Sequence, residues 1–305
     1  MCCLFGFVDY AGSLSVKQKC RLIRELSIAA EVRGTDATGI AYNTSRGLQI
    51  YKRPLAAHRL HLRIPAEAHV VMGHTRMTTQ GSAKKNYNNH PFFGCVKGKR
   101  FALAHNGVLW NDRGLRHTKH LPKTKIQTDS YVAVQLLEQQ KALDFDSLAK
   151  MAEQVEGSFS FAVLDEQDAL WLVKGDNPLT IVHFPAAGVY VYASTAEILN
   201  KALARCGNWL GRGEKVDIAM GDIVKIDSRG HITHGTFDVS KFYRSSWGYS
   251  DTPLYPKAPH SEEEHLALLK SVAKAFGFTS EMIDRLLDQG FTTMEIEELL
   301  YDGGY

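Results

Sequence analysis

Apolar positions recur along the chain with two periods, and the switch between them outlines its elements. Near the start, Leu4, Phe5, Phe7 and Val8 form a short apolar run that predicts a strand over 4–8. Ser15-Val16-Lys17-Gln18 has the S-x-x-Q form, in which the two side chains each satisfy a free backbone N–H, so a helix opens there. Cys20, Ile23, Leu26 and Ala30 then follow at three- and four-residue spacing and give that helix one apolar face. Runs rich in β-formers predict strands over 39–42, 48–52, 69–74 and 101–105. Thr128 is placed to cap a helix carrying Val132, Leu136 and Leu137, and 147–155 is a second helix. The runs 158–164, 170–173, 180–183 and 188–192 read as successive strands of a meander. A helix over 195–204 and a late strand over 222–226 follow. Many strands, with a few helices able to cover two faces, predict an α+β or layered α/β/α arrangement.

The pattern then breaks. Residues 241–260 carry Tyr, Ser, Pro and Gly without periodicity and read as a linker. Helical periodicity returns over 262–276, 281–289 and 294–300, with Ser261 and Glu264 forming another capping box. Gly-Phe-Thr-Ser (277–280) and Gly-Phe-Thr-Thr (290–293) read as helix stops followed by caps. The expected organisation is a main domain over 2–240, a linker over 241–260 and a small helical segment over 261–305. That segment is the size of a partner-docking element or of a helical lid.

Composition narrows the class. At 305 residues, with 44% hydrophobic and 23% charged residues, the chain has the make-up of an ordinary soluble globular protein. No window approaches a membrane span, and the start lacks a basic-then-apolar leader. The net charge of +3 does not mark a nucleic-acid binder. The five cysteines (2, 3, 20, 95 and 206) are scattered and odd in number, which argues against a disulfide framework and against zinc. Cytoplasm is the expected compartment, with no cofactor and no metal. His58, His61, His117 and His120 lack further ligands at metal-site spacing.

Chemistry enters at Cys2. Removal of Met1 would leave one residue holding both a thiol and a free α-amine, whose pKa near 7.7–8.0 suits a base at neutral pH. An N-terminal amine is one way to activate a weak nucleophile. Three polar clusters stand at predicted strand ends: Arg33-Gly34-Thr35-Asp36-Ala37-Thr38-Gly39; Gly73-His74-Thr75-Arg76 running through to Gly81; and Ala104-His105-Asn106-Gly107, with Gln127-Thr128-Asp129-Ser130 soon after. Each alone could be a turn.

Taken with Cys2, with Asn-His-Pro at 89–91 and in this order, the clusters closely resemble the class II (N-terminal-nucleophile) glutamine amidotransferases. That family includes the glutaminase domains of glucosamine-6-phosphate synthase and amidophosphoribosyltransferase. The resemblance spans roughly 2–235. It implies a four-layer α/β/β/α sandwich and the hydrolysis of L-glutamine to glutamate and ammonia through a Cys2 thioester. It implies Asn106 (side-chain amide) and Gly107 (backbone N–H) as oxyanion donors. Arg76 would bind the α-carboxylate, with Thr79 beside it, and Asp129 would bind the α-ammonium. Arg33 and Gly34 would position the nucleophile. After the arginine, glucosamine-phosphate-synthase-like members carry Trp-Ala-Thr-His, whereas this chain has Met77-Thr78-Thr79-Gln80. Gln80 keeps hydrogen bonding but cannot be cationic. Cys3, one residue along the strand, should face the opposite way, into the core.

No phosphate-binding G-x-x-x-x-G-K-[ST] motif and no pyrophosphatase-like Ser-Gly-Gly-x-Asp-Ser run follows, and the chain after 235 is too short for the synthase domains of that family. The expected product is therefore ammonia handed to a separate synthase or amidoligase, with homo-oligomerisation left open. Two alternatives remain: a self-sufficient hydrolase of γ-glutamyl amides or peptides, and an inactive glutamine-sensing module. The basic stretch 113–125 reads as a solvated loop, with docking of an acidic acceptor or partner as the functional alternative. Gly175-Asp176-Asn177-Pro178 reads as a plain turn.

Overall fold

The computed structural model describes residues 2–240, 266, 270, 279–289, 291 and 296. The chain divides into two units, Met1–Ser246 and Trp247–Tyr305. The first unit is a mixed α/β fold with two antiparallel sheets that share an apolar cluster. One sheet holds seven strands: β1 (Cys3–Asp9), β2 (Ala37–Thr44), β3 (Gly47–Arg53), β4 (Val70–Arg76), β9 (Thr180–Phe184), β10 (Val189–Ala193) and β11 (Glu214–Val216). Their spatial order is β11-β9-β10-β1-β4-β2-β3. The other sheet runs β13 (Ile232–Thr236), β12 (Asp222–Ile226), β8 (Leu170–Lys174), β7 (Gly157–Asp165), β6 (Lys99–Leu109), β5 (Phe92–Val96).

Strand β1 is central, paired with β10 on one side and β4 on the other, and every residue in it is buried. Alternation along the strand sends its side chains to two cores. Cys3, Phe5 and Phe7 pack with α1 (Val16–Ala29) and α5 (Ala196–Cys206). Leu4 and Val8 face the second sheet, where Ala102, Ala104 and Ala162 present small side chains to them. A third cluster joins the outer face of the second sheet to α3 (Tyr131–Gln140) and α4 (Phe145–Gln154). The buried Cys3 is thus where the strand period predicts it. The Ser15–Gln18 capping box opens α1 as read from the sequence. Among the described residues, no helix is long and apolar enough to cross a membrane.

Several expectations change. Ser130, not Thr128, precedes α3; among the described residues no side chain caps it, and the hydroxyl of the buried Thr128 has no partner. Helix α4 begins two residues earlier than expected because Asp144 forms a capping box with Ser147. The four-strand meander does not exist as one unit. Strands β7 and β8 pair in one sheet and β9 and β10 in the other, and the 175–178 turn carries the chain between them. Apolar alternation gives a strand two faces but does not say which sheet it joins. Part of the supposed basic loop is a helix, α2 (Asp112–Thr118), in which only Asp112 and Leu115 are buried. That burial is too sparse to leave a periodic signal.

In the second unit, α6 (Ser280–Asp288) is capped by Thr279, whose side chain accepts from the Met282 N–H. This matches the stop-and-cap reading of 277–280. The linker 241–260 and the helices expected over 262–276 and 294–300 lie almost wholly outside the described residues.

Candidate active site

Three segments meet at the start of β1. Cys2 lies just before the strand, 8% exposed, and its Sγ donates to the Met77 carbonyl at 3.5 Å. Arg33, at the end of a 3₁₀ turn over Ala30–Arg33, donates from Nε to the Cys2 carbonyl at 2.9 Å. Gly34 follows in extended conformation. A Cβ there would lie 2.5 Å from Met77 N and 2.6 Å from Arg76 O. Only the missing side chain lets the Arg33 turn approach the end of β4 so closely. Asp36 fixes the same junction from both sides: its N–H donates to the Arg76 carbonyl (3.0 Å), and its carboxylate accepts the Thr78 N–H (2.7 Å). Burial pushes the Cys2 thiol up, opposed by the Met77 hydrogen bond and the Arg76 charge. Burial thus favours the neutral thiol over the thiolate.

Arg76 ends β4 and is 3% exposed. Its Nη1 donates to Asn89 Oδ1 (2.7 Å), and its Nη2 to the carbonyls of Gln80 (2.6 Å) and Gly81 (3.2 Å). Asn89 is itself held: its Nδ2 donates to Ala83 O (2.8 Å), and its carbonyl accepts from Lys52 Nζ (2.5 Å). The Arg76 charge is felt by Cys2, and Asp129 acts on both. Asp129 is buried; its Oδ2 accepts the Leu109 N–H at 2.7 Å. Gln80 meets Arg76 through its backbone, while the Thr79 side chain stays exposed.

Asn106 and Gly107 lie on β6, in the other sheet. Gly107 has φ +145°, and a Cβ there would collide with the Ser158 carbonyl, so the position accepts only glycine. The Asn106 carbonyl accepts from Asn177 Nδ2 (2.9 Å), which also reaches Ser158 Oγ (2.7 Å). The Asn106 side chain meets Ser194 Oγ at 3.3 Å, and the same hydroxyl accepts the Leu4 N–H at 2.9 Å. Ser194 therefore ties the oxyanion candidate to the strand that follows Cys2.

The structure groups Cys2, Arg33, Gly34, Arg76 and Asp129 at one end of the stacked sheets and links Asn106 to them through Ser194. Sequence reading missed Asn89, Asn177 and Ser194 as supports. Asn89 belonged to a recognised motif without a role; the other two gave no local signal. Nearby, His74, His90 and His105 are buried and neutral. Burial holds His74 down to about 3, and His90 well below the usual range. His90 stacks on His74 and Phe92, and neither of its nitrogens has a partner among the described residues.

Residues 74–201 match the family model described as a glutamine amidotransferase domain. The chain is 31% identical over 194 residues to the isomerizing glutamine–fructose-6-phosphate aminotransferase of Sulfurisphaera tokodaii, covering 59% of this chain and 31% of that enzyme. It is 30% identical over 185 residues to the Bacillus subtilis enzyme of the same name, covering 58% and 30%. It thus spans about a third of the length of these relatives. The glutamine phosphoribosylpyrophosphate amidotransferase structure from B. subtilis superposes with a TM-score of 0.60 at 17% identity, over 78% of this chain and 49% of that one. An allosteric regulatory enzyme of purine biosynthesis gives 0.61, also at 17% identity and with the same coverage. Residues 74–201 thus carry a glutamine amidotransferase domain, and the relatives that match it are of class II, the N-terminal-nucleophile type. The proteins that share the domain are amidohydrolases of that type.

Proposed function

We propose that the chain hydrolyses L-glutamine to glutamate and ammonia through a thioester on Cys2. After Met1 is removed, the Cys2 α-amine takes the thiol proton as sulfur attacks the side-chain amide carbon. It then gives that proton to nitrogen as the C–N bond breaks and ammonia leaves. Water repeats the attack on the thioester, releasing glutamate and restoring the thiol. Asn106 and the Gly107 N–H stabilise the tetrahedral oxyanion. Arg76 receives the α-carboxylate and Asp129 the α-ammonium, with Thr79 and Gln80 on the loop above them; Arg33 and Gly34 hold the nucleophile. The observation that carries this reading is the placement of Cys2, Arg76 and Asp129 within reach of one another's charge. One apolar cluster between the sheets and one between each sheet and its helices support reading the domain as the α/β/β/α sandwich of N-terminal-nucleophile hydrolases.

The test is intact mass before and after exposure to a glutamine-mimicking diazoketone, with peptide mapping. Loss of Met1 and one adduct on Cys2, abolished in Cys2→Ala, support the reading; an adduct on any other cysteine overturns it. We further propose that ammonia passes to a separate synthase or amidoligase, that 2–240 is the catalytic domain and 241–260 a linker, and that 261–305 docks the partner. Ending the chain at 243 should preserve glutamine hydrolysis and abolish partner binding. Turnover of γ-glutamyl peptides as fast as that of glutamine would favour a self-sufficient hydrolase instead.

A further inference from the structure

The Asn106 side chain poses a hydrogen-bonding problem. It is fully buried, and its Oδ1 has no partner among the described residues while its Nδ2 faces Ser194 Oγ at 3.3 Å. Ser194, also fully buried, already accepts the Leu4 N–H at 2.9 Å. In that orientation two donors converge on one hydroxyl, and the buried amide oxygen is left without a donor among the described residues. The two ends of an amide have the same shape, so the hydrogen-bond network decides between them. A hydroxyl carries one proton as well as its lone pairs. With the amide turned over, Ser194 accepts from Leu4 and donates to Asn106 Oδ1. Both the hydroxyl and the amide oxygen are then paired, and the Nδ2 protons are the groups left open, in the buried position where no described protein group meets them.

We infer that Ser194 is a positioning residue, whose hydroxyl holds Asn106 Oδ1 and so aims Asn106 Nδ2 at the substrate oxyanion. This rests on the proposed role of Asn106 in glutamine hydrolysis. The geometry separates positioning from folding. The Asn106 carbonyl is held independently by Asn177, and the Ser194 N–H donates to Leu4 O at 2.9 Å whatever its side chain. Loss of the hydroxyl therefore frees the amide to rotate while the strands remain paired. Ser194 also joins the sheets: it follows β10 in one and reaches β6 in the other.

The experiment is a double-mutant cycle on glutamine hydrolysis, with a neutron structure of the wild-type protein. Ser194→Ala should lower kcat by about 10- to 100-fold, as expected for a misaimed group. It should leave KM within about twofold, because an oxyanion donor acts only in the transition state. Ser194→Thr, which keeps the hydroxyl, should recover most of kcat. In an Asn106→Ala background, Ser194→Ala should have no further effect on kcat. Equal losses in both backgrounds, or a change confined to KM, overturn the inference. Deuterons on the Asn106 atom facing away from Ser194 support it; deuterons facing Ser194 overturn it, even if Ser194→Ala does not fold. A wild-type protein that does not turn over glutamine removes the proposed function, and the neutron map still decides the orientation.

Discussion

Gly34→Ala isolates the effect of a single methyl group on the surroundings of Cys2, the proposed nucleophile. Gly34 has φ 169°, an extended conformation open to any residue, so alanine carries no backbone penalty there. The penalty is steric. The new Cβ lies 2.5 Å from Met77 N and 2.6 Å from Arg76 O, and both are backbone atoms that cannot swing aside. Ordinary contact begins at 3.4 Å and the nearest atom, Arg76 C, lies at 2.4 Å, so the two segments must part by about 1 Å. Overpacking of this kind costs about 1–3 kcal/mol. In a domain of this size that lowers Tm by about 2–12 °C. The displaced residues are the acceptor of the Cys2 thiol and the proposed carboxylate anchor, and a misplacement near 1 Å can cost about 100-fold in rate. The assay is glutamate release coupled to glutamate dehydrogenase, with melting followed by circular dichroism. Gly114→Ala is the control: Gly114 lies in α2, nothing stands within 4 Å of its Cβ position, and the change should leave activity intact and raise stability slightly. A Gly34→Ala protein within about threefold of wild-type activity and with an unchanged Tm would refute the close-approach argument.

Three further outcomes follow from groups around the same site. Asn89→Leu removes the acceptor of Arg76 Nη1 and should raise KM for glutamine by about 10- to 100-fold with less effect on kcat, the equivalent of about 1.4–2.8 kcal/mol; an unchanged KM would show that the loop carbonyls alone hold the guanidinium. Because His74 protonates near 3 when folded and near 6.5 when unfolded, the unfolded chain binds more protons between those values, so stability should fall as pH drops through that window. Urea unfolding from pH 7.5 to 4.5 should show this fall, and a shallower slope in His90→Leu, which removes a second buried neutral imidazole. Lys52, held down to about 8 by burial and by Arg76 against an ordinary 10.5, has the same sign at higher pH: its burial opposes folding most below pH 8, and stability should recover as pH rises toward 10.5, a rise absent from Lys52→Met.

What the sequence made legible was local or motif-bound. The strand after Cys2, the Ser15 cap, the Thr279 cap and the order of the polar clusters each depend on neighbours within a few residues, and all are found in the structure. Thr128 misled because a good capping residue loses to burial when tertiary packing claims its side chain. Ser194 and Asn177 were invisible for a different reason. Their partners, Leu4 and Asn106, lie 190 and 71 positions away, and only the stacking of two sheets brings them together. Arg33 and Gly34 stood out through the family resemblance; why position 34 must be glycine emerged only from its contact with Arg76 and Met77.

The central place of β1 has a consequence for biogenesis. Its partner β10 and the Ser194 hydroxyl are encoded some 190 residues later, so the strand that follows Cys2 cannot be locked into its sheet until most of the domain has been made. At about 5–20 residues per second, that leaves roughly 10–40 s of synthesis during which the chain start is unpaired on its β10 side. The proposed trimming of Met1 has this interval in which to act, before the same topology draws Cys2 into the interior.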